Sequence, residues 1–352
     1  MKRAGNLFCQ ITSIENLLLA HQNARKGKTY YQEVQMVDSD PKYYIRQIQD
    51  SLLNKTYKTS SYELKEVFEP KKRTIYKLPY YPDRIVHHAI MQVIQPIWDN
   101  IFIFDLYSAI PGKGLHAGSY RLRKFMRDVP NTQYCLKFDV SKFYPSMKHD
   151  VLMQLIRKKI KCEDTLDLID EIVRSVDGVP IGNYLSQYFG NIYLNEFDHW
   201  IKEEKGMRYY LRYCDDGVIL HEDKEYLKSL KREIEIYFSH LGLTLNPKTS
   251  IFPVDRCGID FLGYRHYRQY TLLRKSSARR LKYRMKLLSR LSPESAISSL
   301  MSSVGWLKHC DSFHLIRKLI LTNSGLISMI ASHAEKLGIH NPLEELLRKT
   351  TW

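Results

Sequence analysis

Long apolar runs are missing from this 352-residue chain. No stretch approaches the roughly 20 residues that a bilayer-spanning helix needs. The opening MKRAGNLFCQITSIENLLLA has basic residues but no uninterrupted apolar segment before a small-residue cleavage site. The reading excludes a membrane protein, and the expectation is a cytoplasmic one. Cysteine is also scarce. Six residues lie at 9, 135, 162, 214, 257 and 310, with no close pair and no Cys/His set at zinc-finger spacing. That excludes a disulfide scaffold and leaves reduced thiols. Internal repeats and low-complexity linkers are absent. Negative charge is short, with 38 Asp/Glu against 54 Lys/Arg and a net +16. Such an excess calls for an anionic partner, with nucleic acid the first candidate and a membrane surface or simple solubility the weaker ones.

What is present is ordered along the chain. Residues 14–26 and 41–54 have helical spacing, with a basic turn, Arg25-Lys26-Gly27-Lys28, after the first. The region 62–78 reads as two strands around a Glu69-Pro70-Lys71-Lys72 turn. Residues 84–98 form an apolar helix, and a basic helix is expected at 119–128. A strand, Tyr134 to Val140, carries Asp139; Ser146 is expected to cap a helix at 148–160, and another helix covers 165–176. A long helix is expected over 184–201. RYYLRYCDDGVIL, near 208–221, places two strands around Asp215-Asp216-Gly217, and helix 224–240 ends at a Gly242 cap. Short strands follow at 250–254 and 259–264. The remainder is mainly helical, with 14 Lys/Arg against 5 Asp/Glu over 271–352. The fold class is α+β: a mixed core with two peripheral lobes.

Carboxylates at strand ends are common as turn or capping groups. The combination is what points to chemistry. Nucleotide addition brings a primer 3′ oxygen into line with an α-phosphorus. Two Mg²⁺ ions ~3.5–4 Å apart compensate charge on that oxygen and on the leaving pyrophosphate. Mg²⁺ takes carboxylates, substrate oxygens and water. Asp139 and Asp215 on neighbouring strand ends suit that task, with Asp216 a third ligand or an electrostatic support.

The ordered set of Asp139 at a strand end, Gly182-x-x-x-Ser186-Gln187 and Tyr213-Cys214-Asp215-Asp216 resembles the palm of reverse transcriptases. The resemblance extends from Asn16-Leu-Leu-Leu-Ala20 and Ala24-Arg-Lys-Gly27 through Asp83-Arg-Ile-Val-His-His88 to Asn246-Pro-Lys248 and Phe261-Leu-Gly-Tyr264. The box Val179-Pro-Ile-Gly-Asn-Tyr-Leu-Ser-Gln187 is most similar to that of the reverse transcriptases of diversity-generating retroelements. Group II intron enzymes usually have Gln and Ser-Pro where this chain has Ile181 and Ser186-Gln187. That resemblance implies a right-hand polymerase fold. Fingers with an N-terminal extension would span 1–133, palm 134–147, connecting helices 148–177, palm 178–265 and a helical thumb 266–352. It implies an RNA-directed DNA polymerase that copies a template-repeat RNA into cDNA with errors at template adenines, for mutagenic retrohoming into a target gene. It further implies two Mg²⁺ ions, dNTPs, template RNA, a cDNA or primer strand and a small basic accessory variability protein that forms an oligomer. A group II intron-like or retron-like enzyme and a non-catalytic RNA-binding protein on a polymerase fold are the alternatives. No maturase-like or metal-endonuclease segment is read after the basic tail.

The same resemblance assigns roles. Metal contacts fall to Asp139, Val140, Asp215 and Asp216. Lys248 either donates a proton to pyrophosphate or adds positive charge. Lys72, Arg73 and Lys77 face the incoming triphosphate, Arg73 foremost, or form a solvated basic turn. Tyr144, five residues after Asp139, excludes a ribose 2′-hydroxyl or packs beside Phe143. Ile181 bears on fidelity because it replaces a hydrogen-bonding amide, or else anchors its loop. Gly182 admits a close approach at the templating pair, Gln187 meets the template backbone, and Ser186 meets the template or caps locally. Arg84 contacts a template phosphate or makes a structural ion pair. Phe261, Leu262, Gly263 and Tyr264 grip the primer or pack. Arg279, Arg280 and Lys282, with Arg284, Lys286 and Arg290, track a duplex backbone.

Overall fold

In the computed structural model of the protein, residues 3–68, 72–288 and 291–318 are described, together with Ser328, Ala331, Ser332 and Glu335. The chain begins with α1 (Phe8–Ile11), α2 (Ile14–Ala24), α3 (Gln32–Ser39) and α4 (Pro41–Leu53). Ser13 starts α2 by accepting from the Asn16 N–H, and Asp40 starts α4 by accepting from the Tyr43 N–H ahead of Pro41. The hairpin follows as β1 (Glu63–Val67) and β2 (Arg73–Lys77), antiparallel with Glu63 opposite Lys77. Its expected turn at 69–71 lies outside the described residues. Then come α5 (Ile85–Asp99), α6 (Leu115–Phe125), β3 (Tyr134–Phe138), α7 (Phe143–Ser146), α8 (His149–Arg157), α9 (Glu163–Val173), α10 (Ser186–Tyr193) and α11 (Asn195–His199).

The hairpin β4 (Tyr210–Tyr213) and β5 (Asp216–His221) leads to α12 (Lys224–His240). Gly242, at φ +71°, ends that helix, and the Leu243 N–H returns to the Phe238 carbonyl. After β6 (Ser250–Pro253) and α13 (Val254–Cys257) stand β7 (Ile259–Phe261), β8 (Tyr264–His266) and β9 (Thr271–Leu273). The last described helices are α14 (Lys275–Leu287), α15 (Pro293–Leu307) and α16 (Phe313–Ile316).

Two compact units result. The first comprises Met1–Gly114, Leu136–Ile219 and Lys224–Ile251; the second comprises Leu115–Cys135, Leu220–Asp223 and Phe252–Trp352. In the first, the sheet order β4-β5-β3-β6 sets β3 beside β5. Buried Phe138, Phe197, Tyr210 and Phe238 fill one face, with Phe197 and Phe238 rings 4.6 Å apart. In the second unit, Leu281 and Met285 of α14, with Leu288 just after it, join Leu300, Val304 and Leu307 of α15 in one core.

Three expectations fail locally. Ser146 does not cap α8. Lys142 enters the left-handed region at φ +47°, the chain makes the short turn α7, and the Ser146 hydroxyl donates back to the Ser141 carbonyl at 3.4 Å. The helix expected over 184–201 is divided, because Leu194 closes α10 at φ −101°, ψ 6° before α11 begins. The basic helix expected at 119–128 begins earlier, at Leu115.

Candidate active site

Asp139 lies just past the end of β3, and Asp215 sits in the tight turn between β4 and β5. Both belong to the first unit. Gly217 explains how the strands come so close. A Cβ there would fall 2.1 Å from the Phe138 ring, so only glycine lets that ring lie against the hairpin. The Asp139 and Asp215 carboxyls stand close enough for each to bear on the other's protonation. Burial pushes Asp215 up to about 7, followed by the charge and hydrogen bond of Asp139 and then the charge of Asp216.

The hairpin turn is fixed from beneath. Cys214 takes the left-handed conformation at φ +53°. Its N–H donates to the Ser108 hydroxyl at 2.9 Å, and its carbonyl accepts from Arg212 Nη1 at 2.6 Å. Arg212 is wholly buried and pairs with the equally buried Asp198, Nε to Oδ1 at 2.7 Å. Tyr210 donates to the same Asp198 oxygen at 2.6 Å. Asn191 closes the network, giving Nδ2–H to the Ser108 carbonyl at 2.8 Å. On the other side, Asn246 holds Asp139 twice. Its N–H donates to the Asp139 carbonyl at 2.8 Å, and Nδ2 donates to Oδ2 at 2.9 Å.

The residue-level reading missed Asn246, Arg212, Asp198 and Ser108. Asn246 was visible only within the Asn246-Pro-Lys248 resemblance. Arg212 directly precedes Tyr213, but nothing local announces that its charge is buried.

The other expected residues fall into three groups. The first surrounds the carboxylates. Tyr144 packs on Phe143, ring centroids 5.2 Å apart, with the Cys214 side chain beside its phenol. Burial, then the charges of Cys214 and Asp215, push its phenol up. Val140 is buried and bridges Leu245. Lys248 is exposed, and its N–H donates to Asn246 Oδ1 at 3.0 Å.

The second group is the hairpin and its loop. Lys72 and Lys77 are exposed and pair with Glu66 and Glu63, each at 2.8 Å, while Arg73 is exposed with no ion pair among the described residues. The Ile181 carbonyl accepts from the Tyr76 N–H at 2.7 Å, with its side chain half-buried. Gly182, at φ +116°, admits the hairpin: a Cβ would stand 2.8 Å from both Ile75 Cγ2 and the Tyr76 carbonyl. The close neighbour on the side where a Cβ would stand is β2. Ser186 is buried and donates to the Pro180 carbonyl at 2.5 Å, a local bond. Gln187 is exposed, and Arg84 is half-buried.

The third group lies in the second unit. Phe261 and Tyr264 stand opposite each other in the β7–β8 register, and both are fully buried. Tyr264 donates to the Trp306 carbonyl at 3.1 Å. Their side chains are core groups, so surface contact there falls to the half-exposed turn Leu262-Gly263, at φ +52° and +86°. Arg279, Arg280, Lys282, Arg284 and Lys286 are exposed on α14, opposite its buried Leu281 and Met285. Arg290 lies outside the described residues.

The donor set around Asp139 is all oxygen, and crowded carboxylates of this kind favour a hard divalent cation. Asp139, Asp215, Asp216 and the Val140 backbone are the groups that fit it. Among the described residues no group of three or more His, Cys, Asp or Glu side chains makes a ready cage.

The sequence profile of the family described as reverse transcriptase (RNA-dependent DNA polymerase) matches residues 64–266. This chain belongs to the reverse transcriptase family.

As a reverse transcriptase it has curated relatives. Protein YkfC of Escherichia coli (strain K12) is 24% identical over 238 residues, 54% of this chain and 62% of that protein. The group II intron-encoded protein LtrA of Lactococcus lactis subsp. cremoris is 22% identical over 139 residues, 36% of this chain and 23% of that protein. The putative COX1/OXI3 intron 2 protein of Saccharomyces cerevisiae is 20% identical over 256 residues, covering 52% and 29%. The matches therefore span less than two thirds of each relative. The domain is related to those of group II intron-encoded proteins. Among solved structures, apo telomerase from Candida tropicalis, truncated from its C-terminal domain, superposes with a TM-score of 0.50 at 15% identity. That match covers 61% of this chain and 55% of that one. It shows the fold alone: α+β, of the right-hand polymerase type. No helix among the described residues is long and apolar enough to cross a membrane.

Proposed function

We propose that this reverse transcriptase extends a DNA primer on an RNA template. The observation that carries the reading is the Asp139–Asp215 pair, set at neighbouring strand ends and crowded enough to push Asp215 up to about 7. When bound there, Mg²⁺ supplies charge compensation at the primer oxygen and the pyrophosphate. The chain's own residues do the rest. Asp139 and Asp215 hold a fixed pair of oxygens on rigid strand ends, which restricts the reacting geometry. Tyr144 stands beside them as the group against which a sugar edge is judged. Arg73, with Lys72 and Lys77 behind it, offers charge to a triphosphate, and Lys248 adds charge near Asp139. The exposed basic face of α14 takes duplex phosphates without reading bases. We assign fingers, palm and thumb to the boundaries expected from sequence.

The lineage we favour is the group II intron-like one, because intron-encoded proteins are among the curated relatives. A second reading has one specific observation behind it, the Ile181-Gly182 and Ser186-Gln187 box. It makes the enzyme a diversity-generating one, error-prone at template adenines and dependent on an accessory variability protein. Flanking DNA with two imperfect repeats that differ mainly at adenines decides for the second reading.

The catalytic reading is tested by primer extension on an RNA template with Mg²⁺ and dNTPs. Asp139→Asn and Asp215→Asn should each cut the rate at least about 10³-fold, a loss of about 4 kcal/mol in transition-state stabilisation, with the thermal melt retained. Rates near wild type in either folded variant would remove the pair from catalysis.

A further inference from the structure

The β4–β5 hairpin turns through only Cys214 and Asp215, since Tyr213 stands opposite Asp216. A two-residue loop with positive φ at its first position ordinarily puts glycine there. This chain puts Cys214 there, at φ +53°. A side-chain-bearing residue persists in the left-handed region only where its surroundings hold it. Asp215 is the next residue. Whatever holds the Cys214 peptide therefore also sets where the Asp215 carboxyl starts.

The hold comes from the segment 105–108, which runs parallel to β4 and bridges it at Leu106 and Arg212. The Arg212 N–H donates to the Asp105 carbonyl, and the Tyr107 N–H donates to the Arg212 carbonyl, each at 3.0 Å. The next rung of a parallel ladder would take the Cys214 N–H to the Tyr107 carbonyl. Instead, the Cys214 N–H donates to the Ser108 hydroxyl at 2.9 Å, and Ala109, at φ +52°, turns the segment away. A side-chain oxygen thus stands where the last backbone rung would be. The direction of that hydroxyl is fixed as well. Ser108 Oγ accepts from Cys214, so its own proton goes to Asn191 Oδ1 at 3.1 Å, and Asn191 Nδ2 donates back to the Ser108 carbonyl at 2.8 Å. Ser108 and Asn191 are both buried, so a lost bond here is not made good by solvent.

We infer that Ser108 is the positioning residue of the carboxylate turn: its hydroxyl replaces the last ladder rung, holds Cys214 in the left-handed conformation and so places Asp215 for the divalent cation, with Asn191 aiming the hydroxyl. The inference rests on the polymerase reading and adds to it the group that aligns one of the two carboxylates. Ser108 acts through the Cys214 backbone rather than on a substrate.

The test compares the full chain with its Ser108→Ala, Ser108→Cys and Ser108→Thr variants. Alanine removes the acceptor, cysteine offers only a weak one at similar volume, and threonine restores the hydroxyl. Primer extension on an RNA template gives kcat and the KM for dNTPs. Electron paramagnetic resonance of added Mn²⁺, without dNTPs or duplex, gives the affinity for a divalent cation. Ser108→Ala and Ser108→Cys should each lower kcat and Mn²⁺ affinity by about tenfold or more, the usual effect of removing a group that orients a metal ligand. The KM for dNTPs should stay at the wild-type value. Ser108→Thr should recover both losses. Should Ser108→Ala fail to fold, Ser108→Cys carries the comparison. A lowered melting temperature with kcat and Mn²⁺ affinity retained overturns the proposal, since that is what a purely structural serine would show. So does a loss confined to the KM for dNTPs, or a Ser108→Thr protein as impaired as Ser108→Ala. The Mn²⁺ series requires no turnover. A wild type whose Mn²⁺ affinity depends on Ser108 but which extends no primer would sink the polymerase reading and leave the positioning role standing.

Discussion

Two hairpins of the first unit, β1–β2 and β4–β5, are secured in opposite ways. The β4–β5 hairpin is tied from inside, by a buried Arg212–Asp198 pair and by Ser108 and Arg212 holding the two backbone groups of Cys214. The β1–β2 hairpin is mostly exposed, laced across its surface by Lys77–Glu63 and Lys72–Glu66. The Tyr76 N–H anchors it to the Ile181 carbonyl. Interior ties resist salt and tolerate no loss of a member; surface ties are screened and replaceable. The difference fits the tasks proposed for each. Carboxylates need a fixed separation, whereas a group that meets a triphosphate has to give way when the product leaves.

The largest expected break of this contrast is within the buried pair. Arg212→Met or Asp198→Leu alone leaves an uncompensated buried charge and should cost about 3–5 kcal/mol. The double variant should recover part of the loss, since replacing both partners removes the stranded charge. Urea unfolding of all three proteins measures it. A single variant with an unchanged midpoint would show that the turn does not depend on this pair.

Next in size is a pH effect centred on Asp215. Its folded pKa, about 7, lies above its ordinary value near 3.8. In the metal-free protein its contribution to stability is therefore full below about pH 4 and is lost as pH rises through about 7. The melting temperature without metal should fall across that window, and Asp215→Asn should flatten the fall. Added Mg²⁺, which favours the ionised carboxylates, should raise the melt more at pH 8 than at pH 6. A Mg²⁺ response equal at both values would count against the crowded pair as its site.

These two effects also mark what could be read in advance. The strand ending at Asp139, the Asp215 turn and α12 follow from alternation, turn chemistry and helical spacing, all local patterns. The expected Ser146 cap failed because Lys142 adopts a left-handed backbone that no periodicity reveals. The roles of Arg212 and Asp198 were hidden because a charged residue in a strand or helix reads as a surface group until the fold closes over it. Gly182 was legible as a close approach but not as an approach to β2. Phe261 and Tyr264 were legible as a hairpin, but the pleat turns both rings inward.

A smaller effect belongs to the seam between loop and surface hairpin. Ile181 has no side-chain hydrogen-bonding group, and its carbonyl holds Tyr76 whatever its side chain is. Ile181→Gln should therefore keep the hairpin anchored and lower misincorporation opposite adenine more than total extension. Sequencing cDNA from one adenine-rich RNA reads both. An unchanged adenine error frequency in an active variant would leave Ile181 as a loop anchor. Smallest of all, Lys72→Gln with Lys77→Gln should leave the melting midpoint unchanged within error, because exposed pairs contribute little. A clear drop would show that the surface lacing is structural and undo the contrast between the hairpins.

Gly182 gives that seam a mechanical meaning. With no side chain between them, the loop backbone and the β2 backbone bear on each other directly, at a spacing a single methyl group would violate. There is no cushion to absorb a displacement. A tilt of the hairpin must be passed to the loop, and from the loop to Tyr184 two residues on. The β1–β2 hairpin and the loop that carries Tyr184 are thus parts of one linkage, with a hydrogen atom as its bearing.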